Sequence, residues 1–345
     1  MPVRQLGYPI GGRCSNGLPQ SRSVEELAMA GRVMSRPYQR YARIGAGGLA
    51  GRMALLFLTQ PRLFFQSTAA LFYTEESKRD DPGDDRKPMW HNLGYWKNAR
   101  TIAEACAELA RYLATAAGIQ PEDELLDVGC GCAEQDVLWC RELGVNRIVG
   151  IDITPRRVDL ARARVARAGL NDQVEIRVGS ATDLPFPDES FDKVMALECA
   201  LHFRTRERFF GEAFRVLRPG GRLATTDLLP SPGRNETRMK HLVLQLSRRV
   251  ISIPEANVYN RAQYAVKLGE QGFAEVKIES IGDWVFPGFT RQGALRLEGG
   301  EWCSIVNDLR PEDFIGEEWV SVWRDFMGLD DYVVVTADKP RSAGA

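Results

Sequence analysis

Four acids and two glycines fall where a ligand-binding sheet would need them. Glu124 to Thr154, ELLDVGCGCAEQDVLWCRELGVNRIVGIDIT, reads as strand, glycine-bearing turn, helix, strand and acid. Leu125, Leu126 and Val128 have the apolar run of a buried parallel strand. Gly129 and Gly131 sit where a backbone must turn sharply and come close to a ligand. Asp152 stands at the carboxyl end of a second apolar strand, Arg147 to Ile151, and 21 residues past Gly131. An acid at that distance is placed to accept hydrogen bonds from ribose hydroxyls. Asp127, Glu198 and Asp227 also lie at or near strand ends, Asp127 inside the turn region. The bland alternative is an ordinary crossover whose glycines only make a turn, since a glycine motif alone is a weak signal.

The rest of the chain must supply the elements that hold these groups. Asp136 to Leu143 fits a crossover helix, and Arg156 to Ala168 a second one. Val174 to Val178 and Phe191 to Leu197 read as strands, Glu207 to Leu217 as a helix. Pro219-Gly220-Gly221 is a turn into a fifth strand, Gly221 to Asp227. Arg100 to Ala116 is a helix with one apolar face: Ile102, Ala103, Cys106, Leu109, Ala110 and Leu113. Alternation of strands and helices predicts an α/β fold, a doubly wound, mostly parallel sheet. Ligands then sit at the carboxyl ends of the strands. Downstream, Arg234 to Ile253 is basic and mostly helical, Arg261 to Gln271 helical, and Glu275 to Ile281 and Asp331 to Thr336 are strands. Residues 282–330 form a long insertion rich in aromatics.

Composition narrows the class. The 345 residues are 44% apolar and 26% charged, which is globular, and long enough for a large core. Residues 1–65 hold nine arginines, no lysine and two acids, a charge of +7 that leaves −8 on the remainder. Their first 22 residues are rich in Gly and Pro, and Ser23 with Glu25 and Glu26 opens a short helix to Met34. Tyr41 to Tyr73 reads as two amphipathic helices broken at Pro61. They serve either as a lid or homodimer contact, or as an interfacial anchor making peripheral membrane contact. Glu75 to Lys87 is a charge-dense linker. No run of 18 uncharged apolar residues occurs, and the start lacks the layout of a secretory signal, although its arginine-rich, acid-poor character resembles a transit peptide. Seven scattered cysteines suggest reduced thiols in the cytoplasm. Cys130 and Cys132 flank the glycine turn with no nearby histidine, so small buried side chains fit them better than a metal.

Taken together, the motifs resemble a class I S-adenosylmethionine-dependent methyltransferase. LLDVGCGCA resembles the family's cofactor loop and IVGIDIT its ribose strand. GSATDLPFPDESFDKVMALECALHF resembles its adenine loop and fourth strand, and RVLRPGGRLATTD the turn into strand five. Within the class the chain most resembles small-molecule enzymes of the sterol, tocopherol and ubiquinone type. The resemblance implies a seven-stranded Rossmann-like sheet with a helical N-terminal extension over 1–85, a cofactor-binding core over 86–230, and lid insertions with the last strands over 231–345. It implies S-adenosyl-L-methionine as cofactor. Gly129 and Gly131 would admit the methionine end, and Asp127 would organise the loop and meet the amino group. Asp152 would bind the ribose, Ile153 would lie against the adenine, and Ser180 and Ala181 would contact its edge. Glu198 and Cys199 would border the methionine moiety, and Tyr95, in HNLGYW, would close over it or simply pack the lid. Two positions depart from the pattern. The third loop glycine is Ala133, and the adenine-loop acid is Ser180, whose hydroxyl, or Asp183, must stand in.

Methyl transfer from a sulfonium is an in-line displacement, so the protein mainly aligns the nucleophile and excludes water. A hydroxyl acceptor gains from a base. His202, four residues after Glu198, is the candidate, with Asp227 as its partner or as a second polar group near the acceptor, and His91 as the alternative base. His202 as a satisfied, partly buried histidine or a substrate-orienting group is the competing reading. A prenyl-type carbon acceptor would instead use an acid such as Glu198 to take the proton. The fourth strand ends in ECAL and no basic patch with interleaved aromatics flanks the site, which argues against nucleic acid. The apolar, aromatic insertions suit a lipophilic small molecule. Two alternatives stay in view. A nicotinamide-dependent oxidoreductase would share the βαβ unit but want a third glycine, and a non-catalytic protein could keep the cofactor fold.

Overall fold

The computed structural model describes residues 88–231, 238–250, 252–289 and 328–341. The expected extension helices, the linker before Lys87, segment 41–73 and most of the aromatic insertion (290–327) lie outside the described residues.

In chain order the elements are α1 (Ile102–Ala117), β1 (Glu124–Val128), α2 (Glu134–Leu143), β2 (Arg147–Asp152), α3 (Pro155–Ala168), β3 (Val174–Val178) and β4 (Phe191–Leu197). Then follow a 3-10 turn (Ala200–His202), α4 (Arg206–Val216), β5 (Leu217–Leu229), α5 (Arg238–Val250), α6 (Arg261–Glu270), β6 (Ala274–Ser280) and β7 (Asp331–Asp338). Helix starts follow local chemistry. Thr101 and Glu104 close a capping box on α1, Asn260 and Gln263 one on α6, and Pro155 opens α3.

The seven described strands form one sheet in the order β3-β2-β1-β4-β5-β7-β6. β1 to β5 are parallel, and β7 runs antiparallel between β5 and β6. Strand alternation sends side chains to two cores. Leu125, Ile148 and Met195 face α1, α2 and α3; Leu126, Ile151 and Val194 face α4 and α6. Each such fully buried side chain contributes roughly 1.5–3 kcal/mol. Trp139 of α2 is wholly buried and its indole N–H donates to Ala110 O at 3.1 Å, which locks α2 to α1 beneath the glycine turn. The strand order reverses between β1 and β4, so the crevice at their carboxyl ends is the switch point where ligands bind in such sheets.

One boundary differs from expectation with consequence. β5 does not end at Asp227; β7 continues its ladder to the Leu229–Asp331 pair. Asp227 therefore lies two residues inside the strand.

Candidate active site

At the end of β1 the chain turns against β2, with the Gly129 and Cys130 amides both donating to Ile151 O, at 2.7 and 3.0 Å. Gly129 has a φ of +75°, and a Cβ there would stand 2.8 Å from Cβ and Sγ of Cys199, so only glycine fits. Gly131 has a φ of +58°, and a Cβ on it would meet only His91 Nδ1, at 3.9 Å. Its amide donates to Asp152 Oδ2 at 3.2 Å, while Asp152 Oδ1 accepts from the Thr154 amide at 2.8 Å. Asp152 is buried and fixed, and Ile153 beside it is 49% exposed, an apolar shelf next to an acid. Ser180 forms a bridge with Asp183, and its hydroxyl shares a hydrogen bond with Thr182 at 3.1 Å; Ala181 is buried. Asp127 is buried under the loop, where Gln135 Nε2 donates to its Oδ2 at 2.8 Å and to Cys130 O at 3.0 Å. The Cys130, Cys132 and Cys140 side chains are buried, and burial pushes the Cys130 and Cys140 thiols up.

A strap, residues 89–96, crosses this loop. The Met89 amide donates to Glu134 Oε1 at 3.1 Å, and Arg164 holds the same carboxylate through two nitrogens. The Leu93 amide donates to Glu198 Oε2 at 2.9 Å, and the Trp96 amide to Trp284 O at 2.7 Å. The Tyr95 ring packs on Tyr112 of α1, centroids 4.9 Å apart; burial raises its phenol, and the charge of Glu279 on β6 adds to the rise. That ring contact and the Tyr95 amide, which donates to Ala105 O at 2.8 Å, fasten the strap to α1.

At the end of β4, Glu198 adopts a left-handed conformation, φ +54°, of the strained kind that persists where surrounding contacts over-determine it. Those contacts are short. The Tyr332 hydroxyl donates to Glu198 Oε2 at 2.5 Å, and the Glu198 amide donates to Thr226 Oγ1 at 2.8 Å. Burial pushes Glu198 up to about 7, against the pull of the Tyr332 and Leu93 donors. The Cys199 thiol donates to Val128 O at 2.9 Å and is likewise pushed up by burial.

His202 ends the 3-10 turn, half-buried, with Nδ1 3.4 Å from Ser252 O. A carbonyl only accepts, so in this contact Nδ1 is the donor. Asp227 is not the partner of His202. It is fully buried, with Arg206 Nη2 on Oδ1 at 2.6 Å, the Tyr264 hydroxyl on Oδ2 at 3.2 Å, and the Leu228 amide on Oδ1. Burial raises the carboxyl, and the Arg206 charge draws it back. The cluster reaches His202 indirectly. The Arg206 amide donates to Asn257 Oδ1 and its guanidinium to Asn257 O, and Asn257 Nδ2 donates to Leu201 O and Phe203 O on either side of the histidine.

The pattern is thus a glycine loop, a ribose-type acid with an apolar shelf, and a half-buried acid and histidine across a strand switch point. A methyltransferase-domain family model matches residues 126–225, the same span. The erythromycin 3''-O-methyltransferase of Saccharopolyspora erythraea is 43% identical over 286 residues, covering 79% of this chain and 90% of the relative. The 27-O-demethylrifamycin SV methyltransferase of Amycolatopsis mediterranei is 34% identical over 60% of this chain and 74% of its own length. The chain belongs to the class I S-adenosylmethionine-dependent small-molecule methyltransferases. The geranyl diphosphate C-methyltransferase of Streptomyces coelicolor, solved with S-adenosyl-L-homocysteine, shares the fold: TM-score 0.59 at 19% identity, covering 79% of this chain and 96% of that one.

As a methyltransferase the chain has S-adenosyl-L-methionine as cofactor, and its residues fit that group. The loop is opened by a glycine whose Cβ would collide, the ribose-type acid is buried beside an exposed isoleucine, and Asp127 brings negative charge without an arginine or lysine bonded to it. Sequence reasoning missed Tyr332, Thr226, Asn257 and Arg206. It also passed over Gln135 and Asp136, whose one signal is polarity at the start of a helix otherwise read as apolar. Among the described residues no helix is long and apolar enough to cross a membrane.

Proposed function

We propose that this methyltransferase O-methylates a hydroxyl of a lipophilic, macrolide-like acceptor. The 43% identity to the erythromycin enzyme across 90% of its length carries the reading. When bound, the cofactor supplies a methyl group already activated on a cationic sulfur. Asp152 holds the ribose hydroxyls, Ile153 lies against the adenine, and Ser180 and Ala181 border its edge. Gly129, Gly131, Glu198 and Cys199 frame the methionine end, with His91 above the loop. His202 takes the hydroxyl proton as general base. Asp227 acts through Arg206 and Asn257 by fixing the turn that carries His202. Residues 231–345 complete the acceptor side.

Glu198 favours a second reading. A half-buried carboxylate pushed up to about 7 has the basicity to take a proton from a methylated carbon cation. Methyl-labelled cofactor with a hydroxylated macrolide in one tube and a sterol in another separates the two. The expected product is a labelled macrolide methyl ether; label in the sterol alone overturns O-methylation. Peripheral membrane contact or a homodimer through 41–73 is a further proposal, and equal liposome flotation of the full chain and one lacking residues 1–65 would leave no role for that segment as an anchor.

A further inference from the structure

The glycine loop closes over two carboxyls rather than one. Asp127 of β1 and Asp136, in the first turn of α2, are both wholly buried. Asp127 Oδ2 has the Gln135 amide, but its Oδ1 has no partner among the described residues, and the Asp136 carboxyl has none beyond Asp127 and its own backbone N–H. The two carboxyls lie within hydrogen-bond contact of each other. Two carboxylates so close in a dry site cannot both ionise. One shared proton changes the account, because it makes one acid a donor and gives the other the bond it lacks.

The neighbours decide which acid keeps the proton. Asp127 already accepts from a side-chain amide and is the better anion; Asp136 has, besides Asp127, only its own backbone N–H, which burial and the Asp127 charge outweigh. The other titratable groups facing the pair are Asp152 on β2, the loop thiol Cys130, Cys140 one turn along α2, and Cys199 beyond β4. None is a cation. We propose that Asp136 is a positioning residue for the methyl donor: an un-ionised carboxylic acid whose O–H donates to Asp127 and keeps that carboxylate charged beneath the glycine loop. The donor brings positive charge at its sulfur and its amino group, so a charged Asp127 strengthens its binding. Burial raises Asp127 to about 7, and the donors Gln135 and Asp136 restrain it. Affinity therefore falls as pH drops below about 7, toward roughly tenfold per unit.

Calorimetry with S-adenosylmethionine, from roughly pH 5.5 to 8.5, on the full chain and two variants tests this. Asp136→Asn keeps a neutral donor and should bind within about threefold of the unchanged protein. Asp136→Leu, of similar size without a donor, should bind about tenfold more weakly at neutral pH, with its titration moved upward by roughly one unit. Asparagine failing as badly as leucine would mean that Asp136 works as an anion and would overturn the proposal. So would leucine binding with the original affinity and pH dependence. Should the leucine variant not fold, infrared spectra decide alone. The spectrum of the unchanged protein minus that of Asp136→Asn, taken at about pH 8.5 where Glu198 has lost its proton, should show one buried protonated-carboxyl band, and a flat difference refutes the idea whether or not donor binds.

Discussion

Two buried acids on the same sheet have their charge handled in opposite ways. Asp227 on β5 faces a guanidinium at 2.6 Å, itself held between the Tyr259 and Tyr264 rings at 5.2 and 5.5 Å. Asp127 on β1 has an amide and a second acid for company. The first cluster is electrically complete within the protein; the second is short of a positive charge, and the methyl donor carries one. Under the proposed role of Asp136, the same residue type near a strand end is architectural where the chain supplies the counterion and ligand-directed where it does not. Burial alone does not tell the two apart, since both are fully buried.

The strongest way to break this comparison is to remove the counterion. Arg206→Met should cost about 3–5 kcal/mol of stability in urea unfolding, because Asp227 is left charged and dry. Adding Asp227→Leu should recover most of that loss, since a buried pair is often replaceable by apolar groups of similar size. A single variant that loses under about 1 kcal/mol would show that Asp227 finds its neutralisation elsewhere, and the contrast with Asp127 would collapse.

On the donor side the expected loss is in binding. Asp152→Ala removes the acceptor that fixes both the Gly131 and Thr154 amides, and with it the ribose ligand. Hydrogen bonds to a charged group contribute about 1.5–3 kcal/mol, so S-adenosylmethionine should bind roughly 10–150-fold more weakly by calorimetry. Unchanged affinity would remove the ribose assignment and leave Asp152 as a loop brace like Asp227.

The fold and the donor loop were legible for one reason: their signals are local. β3 and β4 fall at the expected residues, because a short apolar run between turn residues specifies a buried strand. Gly129, Gly131 and Asp152 belong to one βαβ unit whose spacing is written in consecutive residues. The acceptor side is not written that way. Glu198 is held by partners 105 and 134 residues distant, Leu93 and Tyr332, and no periodicity announces such contacts. Arg206, one residue before the helix expected from Glu207, is wholly buried, and nothing local marks an arginine for burial. Asp136 reads only as the start of a crossover helix, because an acid in a first helical turn is ordinary and its burial against Asp127 has no local signal. Pro219-Gly220-Gly221 obscured the extent of β5, which β7 pairs through Leu229.

The smallest expected effect concerns the position where the loop departs from glycine. Ala133 caps α2 with φ 63° and ψ 26°, a left-handed conformation that costs an L residue roughly 1–2 kcal/mol. Its methyl group is fully buried, and removing it forfeits about 0.8 kcal/mol of burial. Glycine also gives the unfolded chain more freedom to lose, about 0.4–1 kcal/mol. These terms nearly cancel, so Ala133→Gly should change urea stability by less than about 1 kcal/mol in either direction. Cofactor affinity should move as little, because the neighbouring Gly131 amide stays tied to Asp152. A gain well above that bound would mean that the loop stores strain at Ala133. A loss well above it would mean that the methyl holds α2, and with it Gln135 and Asp136, against β1.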